Sequence, residues 1–252
     1  MLFKRRWDTA QTYEKRHWKQ SADRIAADAK NQLTWYGWKA GEFEKKLANV
    51  RLVFDTESCR ILEVGSGPVG IVGYLKWGEK YAIDPLNDYY KENPSLVALR
   101  NNSVTYITAK GEDPPFPDGY FHIVVIDNVL DHVLTPDAVL NEIHRVLSPE
   151  GILFIELNIH TYWGYLLHSS LAKLRIDKGH PFSFTDRKIN RLLRAHKFDI
   201  VWEYVNDYFQ ARKTNRESTN MKAKIKGYSG LSEFIYTAIC YKKNSDMVSG
   251  SE

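Results

Sequence analysis

The stretch ILEVGSGPVG, residues 61–70, decides the fold. Ile61, Leu62 and Val64 form an apolar run broken only by Glu63, and glycines follow at 65, 67 and 70. A short apolar run ending in a glycine-rich turn predicts a buried strand over 59–64. It predicts a helix over 68–76 behind it, with Pro68 in the first turn. Gly65 allows a tight turn, Gly67 lets a ligand approach the backbone, and Gly70 lets the helix pack closely. Glu63 is costly inside a strand unless its carboxylate finds a partner. Strand-to-helix turns are generally rich in glycine, so the reading needs support from elsewhere in the chain.

Two further segments supply it. The run Tyr81-Ala82-Ile83 ends in Asp84-Pro85, at about the twenty-residue distance where a second parallel strand delivers an acid to a ribose diol. The segment GEDPPFPDGYFHIVVIDNVLDHV, residues 111–133, reads as a loop, a buried strand and a helix start. Glu63, Asp84, Asp127 and Asn158 all fall at or near predicted strand ends, where open parallel sheets bind ligands.

Taken together, these residues resemble the class I S-adenosylmethionine-dependent methyltransferases, in particular the group with a PFPDGxFD segment before the fourth strand. The motifs cover residues 59–158, and the resemblance extends more loosely to 243. It implies a Rossmann-like doubly wound α/β sheet of seven strands, mostly parallel with an antiparallel closing strand. S-adenosyl-L-methionine is the implied cofactor and S-adenosyl-L-homocysteine its product. Asp84, with Pro85, would take the ribose diol, and Gly111 with either Glu112 or Asp113 the adenine amine. Gly65, Ser66 and Gly67 would hold the methionine end, with Glu63 positioning that turn, and Asp127 and Asn128 complete the cofactor set. No metal is implied. Two departures stand out. His122 replaces the usual aspartate, which alters local hydrogen bonding, and Asp127-Asn128 replaces small polar residues, making the pocket wall more acidic.

Methyl transfer is an in-line attack that depends on alignment and exclusion of water. A hydroxyl acceptor also benefits from a general base. His132, His160 and His180 are the candidates, with Asp131 to orient a histidine. His132 sits where similar proteins have a structural or cofactor-facing histidine. His160, just past Asn158, has the better position for an acceptor.

The chain of 252 residues suits one α/β domain with an elaboration at one end. Residues 1–55 form a helical extension or cap, residues 56–243 the catalytic domain, and residues 244–252 a disordered tail. No apolar stretch is long enough to span a bilayer. MLFKRRWDTAQ lacks the apolar core of a signal peptide. Cys59 and Cys240 read as buried small hydrophobes, which fits a cytoplasmic protein.

Ser21 is the predicted cap of a helix running to Leu33, and a second short helix follows over 41–50. Tyr36 and Trp38 either line the cleft or pack the extension on the domain, the commoner role of aromatics. Later strands are predicted at 104–108, 121–127, 151–157, 198–205 and 233–241. Helices are predicted over 86–100 with a break at Asn93-Pro94, over 136–147 capped by Thr135, and over 186–196 capped by Thr185. A further helix precedes a loop within 159–184.

Charge is uneven. Residues 111–156 hold nine acids against one base, and residues 211–226 hold six bases against one acid. The basic stretch lies in a long polar excursion, 206–230, that reads as solvated surface or as a lid recruiting an anionic acceptor. The expected acceptor is therefore a small molecule or glycan, possibly anionic. The basic stretch lacks interleaved aromatics, which argues against nucleic acid. The alternatives are a non-catalytic cofactor-binding partner subunit and, with less support, a nicotinamide-dependent oxidoreductase, whose dinucleotide pattern residues 65–70 also fit.

Overall fold

A computed structural model describes residues 7–9, 11–18, 22, 28–173 and 181–243. The expectations for Ser21, His180 and the tail at 244–252 lie outside the described residues.

One seven-stranded sheet organises the chain, in the order β3-β2-β1-β4-β5-β7-β6. Its strands are β1 (Arg60–Val64), β2 (Glu79–Asp84), β3 (Val104–Thr108), β4 (Phe121–Asp127), β5 (Leu147–Ile159), β6 (Phe198–Val205) and β7 (Phe234–Lys242). The first five run parallel, and β7 lies antiparallel to both β5 and β6. This is the doubly wound architecture expected from the sequence. The continuous apolar run of β4 is buried from Ile123 to Ile126, as a strand covered on both faces requires.

Residue parity separates the two faces. Leu62, Val64, Val124 and Ile126 enter one core cluster with Val139, Leu140 and Ile143 of α4 (Pro136–Val146) and Ile189 and Leu193 of α6 (Asp186–Ala195). Ile61, Ile123 and Val125 enter a second cluster with Ala40, Phe43 and Leu47 of α1 (Ala29–Leu47). Helix α1, in the leading extension, is thus one of the layers that cover the sheet. It is also longer than the two short helices expected there.

The helix expected over 68–76 does not form. Only a single 3-10 turn occurs, Val72–Tyr74, and the chain is extended again at Leu75. Gly70 at φ +78° is incompatible with a right-handed helix through that position. Two short helices, α2 (Asn87–Lys91) and α3 (Pro94–Val97), flank the expected break. Asn93 caps α3 by accepting from Ser95 and Leu96 N–H. Thr185 caps α6 as expected, accepting from Lys188 N–H. Thr135 does not cap α4 with its side chain. Instead Glu112 Oε1 accepts the Leu134 and Thr135 N–H groups at 2.7 and 3.2 Å.

Helix α5 (Tyr162–Lys173) follows β5. The excursion at 206–230 is a helical hairpin, α7 (Tyr208–Glu217) and α8 (Met221–Ser229). Asp207 and Asn220 cap the two helices, and Gly230 at φ +77° ends the second. Arg212 and Arg216 both donate to the Gly227 carbonyl, which ties the helices together. Cys59 and Cys240 are buried free thiols, and burial raises the Cys59 thiol to about 11.

Candidate functional site

The strand order reverses between β1 and β4, and a cavity of about 350 Å³ opens at the carboxyl ends of the strands there. Its floor is the turn after β1. Glu63 lies in the strand with its carboxylate aimed at the chain beyond the turn: Oε1 accepts Ile71 N–H at 3.1 Å and Oε2 accepts Val72 N–H at 3.0 Å. The partner that the sequence demanded for Glu63 is therefore backbone. A Cβ on Gly70 would come within 2.7 Å of Glu63 Oε2, so Gly70 makes room for the carboxylate and not for a helix.

Asp84, at the end of β2, closes the turn from the other side. Its Oδ2 accepts Gly67 N–H at 2.9 Å and its Oδ1 accepts Leu86 N–H at 2.8 Å. Both acids are buried. Burial pushes Glu63 up to about 7 against the pull of the Val72 and Ile71 N–H groups, with Asp127 adding to the rise. Burial likewise pushes Asp84 up to about 6, opposed by the Leu86 and Gly67 N–H groups.

Gly65, Ser66 and Gly67 line the cavity, as do Pro85, Gly111, Glu112, Asp127, Asn128 and His132. Of the two candidates in the loop after β3, only Glu112 faces the cavity, and Asp113 does not line it. The close approach that Gly111 permits is to Val64 and Val139, whose methyls would lie 2.9 and 3.3 Å from an added Cβ. His132 Nε2 stands 3.6 Å from Asp131 Oδ2. His160 does not line this cavity and sits in a separate void described below. His122 accepts the Arg60 N–H at 3.0 Å, which accounts for the departure at that position.

The expected acidity of the wall is largely neutralised. Lys39 of α1 pairs with Asp127 and reaches Glu156 Oε1 at 3.1 Å, while Lys46 reaches Glu156 Oε2 at 2.5 Å. Burial raises Asp127, with Lys39 opposing it. Burial also works against ionised Glu156, but Lys39 and Lys46 outweigh it and hold that carboxyl low. Lys39 is raised because Asp127 and Glu156 overcome its own desolvation.

Sequence reasoning missed Lys39, because a lysine amid helix formers reads as solvated surface. It also missed the cavity residues Trp7, Gln11, Glu14 and Trp18 from the first described segments, and Trp35 from α1, whereas Tyr36, one of the two aromatics weighed for the cleft, does line it. Tyr36 both lines the cavity and stacks on Tyr74, with ring centroids 5.9 Å apart. Trp38 is exposed and lies outside the cavity.

Beside the cavity, a polar groove of about 780 Å³ runs between the ends of β5, β6 and β7 and the hairpin α7–α8. Asn158, Asn206, Gln210, Asn215 and Asn220 give it an amide-rich surface, with Tyr204 and Phe234 beside them, and both charges are present in Lys222, Lys226, Asp207 and Glu233. The two sites meet at one hydrogen bond. Asn128, at φ +54°, accepts Asn158 N–H at 2.8 Å through its side chain.

Residues 62–155 match the sequence model of the methyltransferase-domain family. Those residues carry a methyltransferase domain, set within a sheet of the class I fold. Among curated relatives, the domain is 28% identical over 127 residues to an uncharacterized methyltransferase of Schizosaccharomyces pombe, covering 46% of this chain and 45% of the relative. It is 43% identical over 54 residues to a ubiquinone/menaquinone biosynthesis C-methyltransferase of Shewanella, covering 21% of this chain and 22% of that protein. The chain therefore spans less than half the length of these curated relatives. In structure, the methyltransferase domain resembles geranyl diphosphate C-methyltransferase from Streptomyces coelicolor, solved with Mg2+, geranyl diphosphate and S-adenosyl-L-homocysteine. The TM-score is 0.59 at 12% identity, covering 81% of this chain and 79% of that one, and the likeness is one of fold. The family match sets the nicotinamide alternative aside.

Proposed function

We propose that the chain transfers the methyl group of S-adenosylmethionine to a small-molecule or glycan acceptor with anionic character. The observation that carries this is the junction of two unlike sites, the acid- and glycine-lined cavity and the amide-rich groove, across the Asn128–Asn158 hydrogen bond.

The cavity suits the cofactor. Gln11 Oε1 is buried on its wall without a hydrogen-bond partner among the described residues, an acceptor ready for a cationic or amine donor. A Cβ added to Gly67 would meet Trp18 Cζ2 at 3.5 Å and no backbone within 4 Å among the described residues, so the turn leaves a ligand room to approach its backbone. Asp84 would hold the ribose diol, Glu112 with Gly111 the adenine, and the Gly65–Gly67 turn the methionine end, with Ser66 and the Glu63 carboxylate behind it. Pro85, Asp127 and Asn128 complete the walls. The bound sulfonium supplies a methyl carbon already activated toward a nucleophile.

The chain's own part is alignment and shelter from water. Trp18, Trp35 and Tyr36 line the cavity, where their rings would shelter a bound cofactor from water. His132, beside Asp131, is the better placed of the candidate bases to take a proton from an acceptor hydroxyl, since it lines the cavity and His160 does not. Planar amides with Tyr204 suit hydroxyl-rich ligands, and Lys222 gives the groove a cation for phosphate or carboxylate. The hairpin at 206–230 acts as the lid on that side. Among the described residues no helix is long and apolar enough to cross a membrane. The two free thiols fit the cytoplasm.

The deciding experiment screens the purified chain by thermal shift against S-adenosylhomocysteine and NAD, then assays transfer of labelled methyl to sugar phosphates, nucleotide sugars and carboxylates. Stabilisation by S-adenosylhomocysteine and labelling of one such class is the expected result. Stabilisation by NAD alone, or labelling of none of these classes, overturns the reading.

A further inference from the structure

A second constellation lies apart from the cavity. His160 follows β5, His168 sits in α5, and Glu233 precedes β7, so three separate elements deliver these side chains to one place. Their candidate ligand atoms all lie within 4.8 Å of one another. Both histidines are buried, 5% and 7% exposed, and their rings stack at 4.6 Å. They border a void of about 30 Å³ whose other walls are Asp131, Asn158, Phe182 and Ser183. Such a void holds a single ion or water and no organic ligand.

We propose that His160, His168 and Glu233 bind a divalent transition-metal ion of the zinc class. Two imidazoles and a carboxylate are donors that favour zinc over magnesium or calcium, which prefer all-oxygen sets. The surrounding shell has the arrangement such sites need. Ser183 Oγ lies 3.0 Å from His168 Nδ1 and fixes the orientation of that ring. The His160 backbone N–H donates to Phe184 O at 2.9 Å and holds that residue against the loop before α6.

An ion can also arrive. Glu233 and Asn158 line both the void and the open groove, so the groove leads to the site. Lys226 Nζ, 2.9 Å from both Glu233 oxygens, stands where the ion's charge would act. Its side chain is 39% exposed, so it can swing into solvent when an ion displaces it. Metal–ligand bonds of about 2.0–2.2 Å require the three groups to draw together slightly from their present spacing, within reach of side-chain rotation. The ion would then occupy the base of the groove, although binding it requires neither methyl transfer nor the cofactor.

The test uses tag-free, chelator-stripped protein dialysed against zinc and measured by elemental analysis, with cobalt as a spectroscopic substitute. One zinc per chain, the visible absorption of tetrahedral cobalt and no competition from magnesium are expected. His160→Ala and His168→Ala should each abolish stoichiometric uptake, and Ser183→Ala should weaken it by about tenfold. Lys226→Met, which releases Glu233, should tighten it. S-adenosylhomocysteine affinity measured on the same samples reports folding and keeps a failed metal site distinct from a failed cofactor assignment. Substoichiometric zinc in the wild type, or histidine variants that bind as the wild type does, would overturn the proposal. Should the histidine variants not fold, the wild-type cobalt spectrum and Lys226→Met decide, and an absent tetrahedral band counts against it.

Discussion

Asp84 and Glu63 hold the same turn from opposite sides, and each yields its own prediction. Asp84→Ala removes the acceptor for Gly67 and Leu86 N–H and the proposed ribose contact. Calorimetric affinity for S-adenosylhomocysteine should fall by about 2–4 kcal/mol, and equal affinity in wild type and variant would remove Asp84 from the cofactor site. Gly67 is at φ +60° beside open cavity, so Gly67→Val both strains the backbone and fills ligand space. Circular dichroism should show a folded protein that no longer binds, and normal binding would mean the turn does not cradle the cofactor. Glu63 titrates near 7 folded against 4.5 in an open chain. The folded state thus holds that proton more tightly. Its contribution to stability is full below about 4.5 and is lost as pH rises to about 7, worth roughly 3 kcal/mol at the 1.36 kcal/mol carried by each pKa unit. Glu63→Gln does not titrate. The stability of wild type relative to this variant, from urea midpoints, should therefore decline across that window, and a flat difference would show that Glu63 is ionised throughout.

At the scale of elements, the hairpin α7–α8 is where charge and function meet. Lys226 is committed to Glu233, whereas Lys222 lines the groove without that pairing. Reversal of Lys222, Lys224 and Lys226 to glutamate should raise the Michaelis constant for an anionic acceptor and leave cofactor affinity nearly unchanged. Lys222→Glu alone should account for most of the effect. Since exposed charges act over about 8 Å at physiological ionic strength, added salt should raise the wild-type constant and have little effect on the triple variant. Acceptor kinetics identical in all three proteins would leave the hairpin without a role in recruitment.

At the scale of the whole molecule, legibility followed the kind of force involved. The central strands β1, β4 and β5 were readable because burial on both faces writes continuous apolar runs, the half-exposed edge strands β3 and β6 were read from shorter apolar stretches, and the antiparallel last strand came with the family resemblance. The turn residues were readable because glycines and an in-strand acid are rarely placed by accident. The helix over 68–76 was misread because a local pattern cannot foresee a buried carboxylate capturing the Ile71 and Val72 N–H groups and Gly70 turning left-handed beside it. Lys39, Trp18 and Gln11 were hidden for a related reason. Their roles depend on the leading segments meeting strand ends far along the chain, as Lys39 meets Asp127 and Trp18 meets Gly67, and nothing in their own neighbourhood records that. His160 was legible as a candidate base past the end of β5, but only the tertiary arrangement puts it with His168 and Glu233.

The position of β7 has a consequence for how the molecule comes into being. The seventh strand in chain order lies between β5 and β6, so before it leaves the ribosome the chain can pair its first five strands and no more. Until Phe234–Lys242 emerges, β5 presents an open edge and β6 has no sheet neighbour, the state in which nascent chains find each other. A chain ending at Glu233 should therefore collect in inclusion bodies, and supplying residues 234–243 as a separate peptide during refolding should return it to solution. A soluble, monomeric truncated chain would show that the parallel half is sufficient unto itself.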